Sequence, residues 1–216
     1  MRKLIVLLLT LAMVLLGACS DMSRQQKGVA FGAGAGAVIG GILMEDTAAG
    51  AILGAVIGGA AGAFIGDYMD RQAAEIERDI EGARVERIGE GIKITFDSGI
   101  LFEVNKADLQ SVAQENLVQL SGILLKYEDT NVLIEGHTDS DGSEEHNLQL
   151  SERRARSVSS FLAGHEVSSP RMSIVGYGES QPAVENTTVE GKRENRRVEI
   201  AIMANDKLKK AAKDKV

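Results

Sequence analysis

From Gly28 to Gly66 glycine returns at every fourth residue, as Gly28, Gly32, Gly36 and Gly40 and again as Gly50, Gly54, Gly58, Gly62 and Gly66. Twelve of the chain's 24 glycines lie in this stretch, and its only charged side chains are Glu45 and Asp46. The intervening residues are mostly Ala, Val, Ile, Leu and Phe, not the serines and other polar residues of a flexible linker. Glycine inside a helix costs about 1 kcal/mol relative to alanine, so a helix of this composition needs a partner. Four-residue spacing puts the glycines on one helix face, where the missing side chains let two backbones approach closely. The pattern predicts a helical hairpin, 28–44 and 48–69, turning at Glu45-Asp46-Thr47. A membrane-associated element, a contact between copies in a homo-oligomer and a soluble helix pair all satisfy the spacing.

The residues ahead of the glycines read as an export signal. Arg2 and Lys3 precede an apolar run from Leu4 to Leu16, and the small residues Gly17 and Ala18 follow. That run is shorter than the roughly 20 residues needed to span a bilayer. Cys19 is the sole cysteine, so no intramolecular disulfide accounts for it. Leu16-Gly17-Ala18-Cys19 resembles the bacterial lipobox. The resemblance implies a signal peptide over 1–18, lipid on Cys19 and a polar tether over 19–27. Ser20, where aspartate would favour the inner membrane, implies lipid anchoring in the outer membrane, facing the periplasm. The glycine stretch is similar to the glycine-zipper segments of bacterial envelope lipoproteins.

Beyond Asp67 the composition turns charged and the periodicity mixed. Ala73, Ile76 and Ile80 suggest a surface helix over 71–80, within a connecting segment 70–84. Val85, Ile88, Ile92, Ile94 and Phe96 suggest two strands turning at Gly89-Glu90-Gly91. Helical spacing follows over 109–127, a strand over 131–135, a helix over 147–162, and strands over 172–177 and 198–203. This order predicts an α/β (α+β) domain over 85–203, a small mixed sheet with helices packed on one face. The Lys-rich stretch 204–216 reads as a frayed, charged tail.

Chemistry concentrates in Gly136 to Leu162, GHTDSDGSEEHNLQLSERRARSVSSFL. Asp139, in the turn after a strand, supplies an anion. Arg154, on the next helix, supplies a planar cation able to meet a carboxylate through two parallel hydrogen bonds. Asn147 lies seven residues before Arg154, on the same helical face, at a helix start that it can cap while pointing toward the Asp139 turn. Together such groups suit an amino-acid end carrying both an ammonium and a carboxylate.

The segment resembles the signature of OmpA-like peptidoglycan-binding domains, a Gly-His-Thr-Asp turn, an Asn and then Leu-Ser-x-x-Arg-Ala. Leu101-Phe102-Glu103-Val104-Asn105-Lys106-Ala107 and Glu190-Gly191-Lys192-Arg193-Glu194-Asn195-Arg196-Arg197-Val198 resemble flanking segments of that family, in its order. With the glycine zone in front, the chain is similar to a YiaD-like branch of lipoproteins. The resemblance implies that Asp139 and Arg154 bind the diaminopimelate end of wall peptides. It implies support from Thr138, Asn147 and Arg196, with a backbone contact at Asn105. The acidic run Asp141 to Glu145 adds negative charge beside that pocket.

A net charge of -7 argues against nucleic acid, whose binding needs a cationic surface. From Asp139, Gly142 falls at position four where a calcium loop needs glycine at six, and the three histidines form no zinc-type pair. No nucleophile elbow is present and no paired carboxylates are demanded. The expectation is a non-enzymatic protein without cofactor or metal that binds peptidoglycan non-covalently and tethers membrane to wall. The alternative makes the glycine zone primary, as a membrane-associating oligomer or envelope assembly factor that the wall domain only positions.

Overall fold

The computed structural model describes residues 47–215. The signal peptide, Cys19, the tether and the first expected hairpin helix (28–44) lie outside the described residues. Within them the order is α1 (Thr47–Gly54), α2 (Gly59–Asp79), β1 (Ala83–Ile88), β2 (Gly91–Asp97), α3 (Ser98–Leu101), α4 (Ser111–Lys126), β3 (Thr130–His137), α5 (Glu144–Gly164), a 3-10 turn (Ser169–Arg171), β4 (Met172–Gly178), α6 (Val189–Asn195), β5 (Arg197–Ala204) and α7 (Asp206–Asp214).

The strands form one sheet in the order β1-β2-β5-β3-β4. Only the neighbours β3 and β4 run parallel, through the crossover helix α5 that a parallel pair needs; the other neighbours are antiparallel. β5 is central and buried at all eight positions, so its alternation sorts residues between two covered faces. Val198, Ile200 and Ile202 join Ile92, Ile94, Phe96 and Ile134 in the main core. Leu117, Leu120 and Leu124 of α4 and Ala155, Val158 and Leu162 of α5 cover that face, at the helical spacing read in the sequence. The mixed sheet with helices on one face is thus as expected.

The second face carries Arg197, Glu199, Ala201 and Met203 of β5. Part of it is covered by α1, whose Ala48, Ala51 and Ile52 pack on Ala201 and Met203. The sequence reading leaves this face bare; the glycine zone supplies its cover.

The expected helix 48–69 is corrected. It breaks after Gly54, and Gly58 and Gly59 take φ of 72° and 65°, a left-handed conformation that glycine adopts without steric cost. The turn between β1 and β2 fixes the break: the Glu90 carboxylate accepts the backbone N–H groups of Ile57 (2.9 Å) and Gly58 (2.7 Å), donors left free just ahead of α2. Gly62 packs against that same Glu90 side chain, and a side chain at Gly66 would have nothing within 4 Å. This half of the glycine stripe therefore makes no continuous helix–helix seam. α2 runs on to Asp79 and absorbs the separate helix expected over 71–80; Ala61, Ile65, Met69, Ala73 and Ile76 enter the main core.

The tail is corrected too. Asn205 accepts the backbone N–H of Leu208 and starts α7, which buries Leu208 and Ala212 in the main core. Among the described residues no helix is long and apolar enough to cross a membrane.

Candidate binding site

Asp139 follows the last residues of β3, and its position depends on how tightly α5 lies on that strand. A side chain at Gly136 would collide with the backbone of Ser151, and one at Gly176 of β4 would come within 2.6 Å of the Glu152 nitrogen. Bare backbone at these two points lets α5 sit directly on the parallel pair. The Ser151 hydroxyl locks the contact by accepting the Gly178 N–H at 2.8 Å. The first half of α5 is thereby held beside the turn after β3.

Asp139 is buried, with one carboxylate oxygen accepting the Asp141 N–H (3.1 Å) and the other accepting from the Arg196 guanidinium. Arg196 is half-exposed and ends α6, immediately before β5. Arg154 is 4% exposed, and its guanidinium lies 5.1 Å from the centre of the Phe102 ring. Its Nε donates to the Lys106 carbonyl (3.0 Å) and one terminal nitrogen to the Glu103 carbonyl (3.5 Å). Burial pushes Arg154 down to about 10; Arg196 adds to that push and Asp139 opposes it. The three charges share one pocket, and Arg154 remains protonated at neutral pH.

Asn105, exposed, takes a φ of 58° inside a turn closed by the Lys106 N–H on the Glu103 carbonyl (3.1 Å). Asparagine tolerates this conformation better than most residues, and the turn offers the two carbonyls that hold Arg154. Asn147 is buried, and its amide donates to the Asp139 carbonyl (3.2 Å) and the Glu179 carboxylate (2.6 Å). It does not cap α5 as expected: the helix starts three residues earlier, where Ser143 accepts the His146 N–H. Thr138 is buried and its backbone N–H donates to the Gly178 carbonyl, while its hydroxyl has no partner among the described residues. The structure thus joins Asp139 to Arg196 and Asn147 and sets Arg154 on the turn that holds Asn105, while Thr138 directly precedes Asp139 in the chain.

The acidic run is largely drawn away from it. Asp141 pairs with Lys192 at 2.6 Å, and Glu144 and Glu145 occupy the first turn of α5, where the helix dipole favours anions. The sequence reading missed Glu179, Lys192 and Phe102. A Gly-Tyr-Gly strand end before Glu179 was the available signal for the first; the other two lie inside the family-like flanking segments, which assigned them no role.

A second cluster lies on the opposite face. Ligand atoms of Glu135, His137 and Glu199, all buried, fall within 4.8 Å of one another. Arg197 Nε donates to Glu199 at 2.5 Å, and His137 stacks on Tyr177. Burial foremost, then the charges of Arg197 and Lys93, holds the His137 imidazole well below its usual range. The donor set is of a kind that holds cations, but Arg197 already pairs with its Glu199 carboxylate.

A five-stranded mixed sheet with a charged pocket where β3 and β5 meet α5 and α6 defines an OmpA-like domain. The OmpA family model matches residues 101–196, and the YMGG-like Gly-zipper model matches 1–70. "Probable lipoprotein YiaD" of Escherichia coli (strain K12) is 36% identical over 187 residues, covering 83% of this chain and 85% of that protein. "Outer-membrane lipoprotein YfiB" of Pseudomonas aeruginosa is 36% identical over 115 residues, covering 53% and 68%. Among solved structures, "the cell wall anchor of the T6SS from Pseudomonas aeruginosa" superposes with a TM-score of 0.56 at 26% identity, covering 63% of this chain and 97% of that one. The chain belongs to the OmpA family.

Proposed function

We propose that the protein anchors the outer membrane to peptidoglycan, its pocket gripping the diaminopimelate end of wall peptides without catalysis. One observation carries the reading: the buried Asp139 carboxylate stands beside the Arg196 and Arg154 guanidiniums, with hydrogen-bonding capacity of both signs left over. A carboxylate offers about four acceptor positions, and Asp139 uses two, which leaves room for a ligand ammonium. A guanidinium has five N–H donors; Arg154 spends two on backbone carbonyls and keeps three for a carboxylate. An amino-acid end carrying both charges matches that remainder, and the Thr138 hydroxyl adds a buried polar contact. The names of the relatives, outer-membrane lipoproteins and a cell wall anchor, support the same role.

Cys19 would carry the lipid and the segment 20–46 would bridge to the domain, which faces the periplasm. One zwitterionic contact is weak, and many copies on one membrane facing one polymer gain through effective concentration. The described half of the glycine zone is committed to the domain's own core, which supports wall binding over a free glycine-zipper oligomer. The test is co-sedimentation with purified sacculi. Asp139→Ala and Arg154→Ala should each abolish it while circular dichroism stays native; retention by both variants would refute the pocket.

A further inference from the structure

Beside the pocket, α5 leaves one of its faces open. Arg153, Arg156, Ser157, Ser160 and Phe161 follow the spacing of a single helical stripe and line a groove of about 640 Å³. Residues 107–109 and Gln114 of α4 form the opposite wall. The loop that begins at Glu103 is common to both sites: its carbonyls hold Arg154, and its continuation closes the groove. Arg153 is close enough for its charge to act on the Arg154 guanidinium, so the cations of pocket and groove are neighbours. In a chain of net charge -7 this is local enrichment. Asp108 is the one acid in the groove lining, and Arg156 is shared only with Glu152 in an exposed pair, which contributes little.

We propose that this groove is a second carboxylate subsite, which takes the acidic residue preceding the diamino acid in the wall peptide. The inference rests on the reading of the Asp139–Arg154 pocket given above. Geometry sets the reach: from Arg154 to Phe161 the helix rises roughly 10 Å, and two extended residues span about 7 Å. On this proposal a peptide held at its diamino end lays its next carboxylate against Arg153 and Arg156. Ser157 and Ser160 offer hydroxyls to its amides, and Phe161 an apolar floor.

Calorimetry on the full chain in detergent micelles, with three probes, tests this. They are free diaminopimelate, γ-D-glutamyl-diaminopimelate, and the same dipeptide with its glutamyl carboxylate amidated. The wild type should bind the acidic dipeptide about tenfold tighter than the amidated one, the worth of a charge-assisted pair. Arg153→Gln with Arg156→Gln should erase that preference and leave free diaminopimelate binding unchanged. Equal affinity of the wild type for both dipeptides, or a preference that survives in the double variant, overturns the subsite alone. Failure of the wild type to bind any probe overturns the pocket reading and the subsite with it.

Discussion

Arg196 and Arg197 are neighbours in sequence, and each pairs with a buried carboxylate, yet the two pairs sit on opposite sides of the sheet. Arg196 meets Asp139 in a site that also holds Arg154, where carboxylate and guanidinium both keep hydrogen-bonding capacity to spare. Arg197 meets Glu199 in a buried cluster with Glu135 and His137. Its remaining donors go to the carbonyls of Gln181 and Asn195. The same two residue types make a candidate binding site where hydrogen-bonding capacity is left over, and a structural link where the guanidinium's donors are spent.

The strongest way to break this contrast is to remove Arg197. Arg197→Ala leaves Glu199 buried without its partner, which should destabilise the domain by about 3–5 kcal/mol in urea unfolding. Replacing both partners by apolar residues, Arg197→Met with Glu199→Leu, should recover most of that loss, because an unpaired buried charge costs more than an absent pair. A single variant as stable as the wild type would show that the cluster is not the closed link described.

The middle-sized effect is in pH. The fold holds His137 neutral by burial and by two nearby cations, so its pKa lies below that of the unfolded chain. Above the unfolded value of about 6.5 neither state binds the proton and the fold has its full stability. As pH falls through that value the unfolded chain takes up the proton first, and stability declines by up to about 1.4 kcal/mol per pH unit. Urea midpoints at pH 7 and pH 5 should therefore differ less in His137→Gln than in the wild type. An equal drop in both would place the acid sensitivity elsewhere.

How legible all this was differs by region, for physical reasons. The domain's strands and helices were readable because each buries one face, so its period survives in sequence. The pocket was readable because the family's motif fixes residue types at Asp139, Asn147 and Arg154. The break at Gly58-Gly59 was not, since a four-residue glycine period fits a helix and says nothing of the Glu90 carboxylate, distant in sequence, that caps its restart. Nor was α7, where five lysines around Leu208 and Ala212 hide a two-residue apolar contact in a stretch that reads as a tail. Lys192 and Phe102 stand in the family-like flanking segments, but their contacts with Asp141 and Arg154 are tertiary and their roles were not legible there.

The smallest stability effect should come from the pocket's own pair. Arg196 is 39% exposed in its side chain, so water screens its attraction to Asp139. Asp139 also keeps the Asp141 N–H and the neighbouring Arg154 when Arg196 is gone. Arg196→Ala should shift unfolding by no more than about 1 kcal/mol, while on the proposed function sacculus binding falls several-fold because Asp139 loses the guanidinium that holds its carboxylate. Arg196→Lys restores the charge without the planar fork and should recover binding only in part. If Arg196→Ala instead destabilises the domain as much as Arg197→Ala, the two pairs do the same structural work, and spare hydrogen-bonding capacity no longer distinguishes the pocket from the cluster behind it.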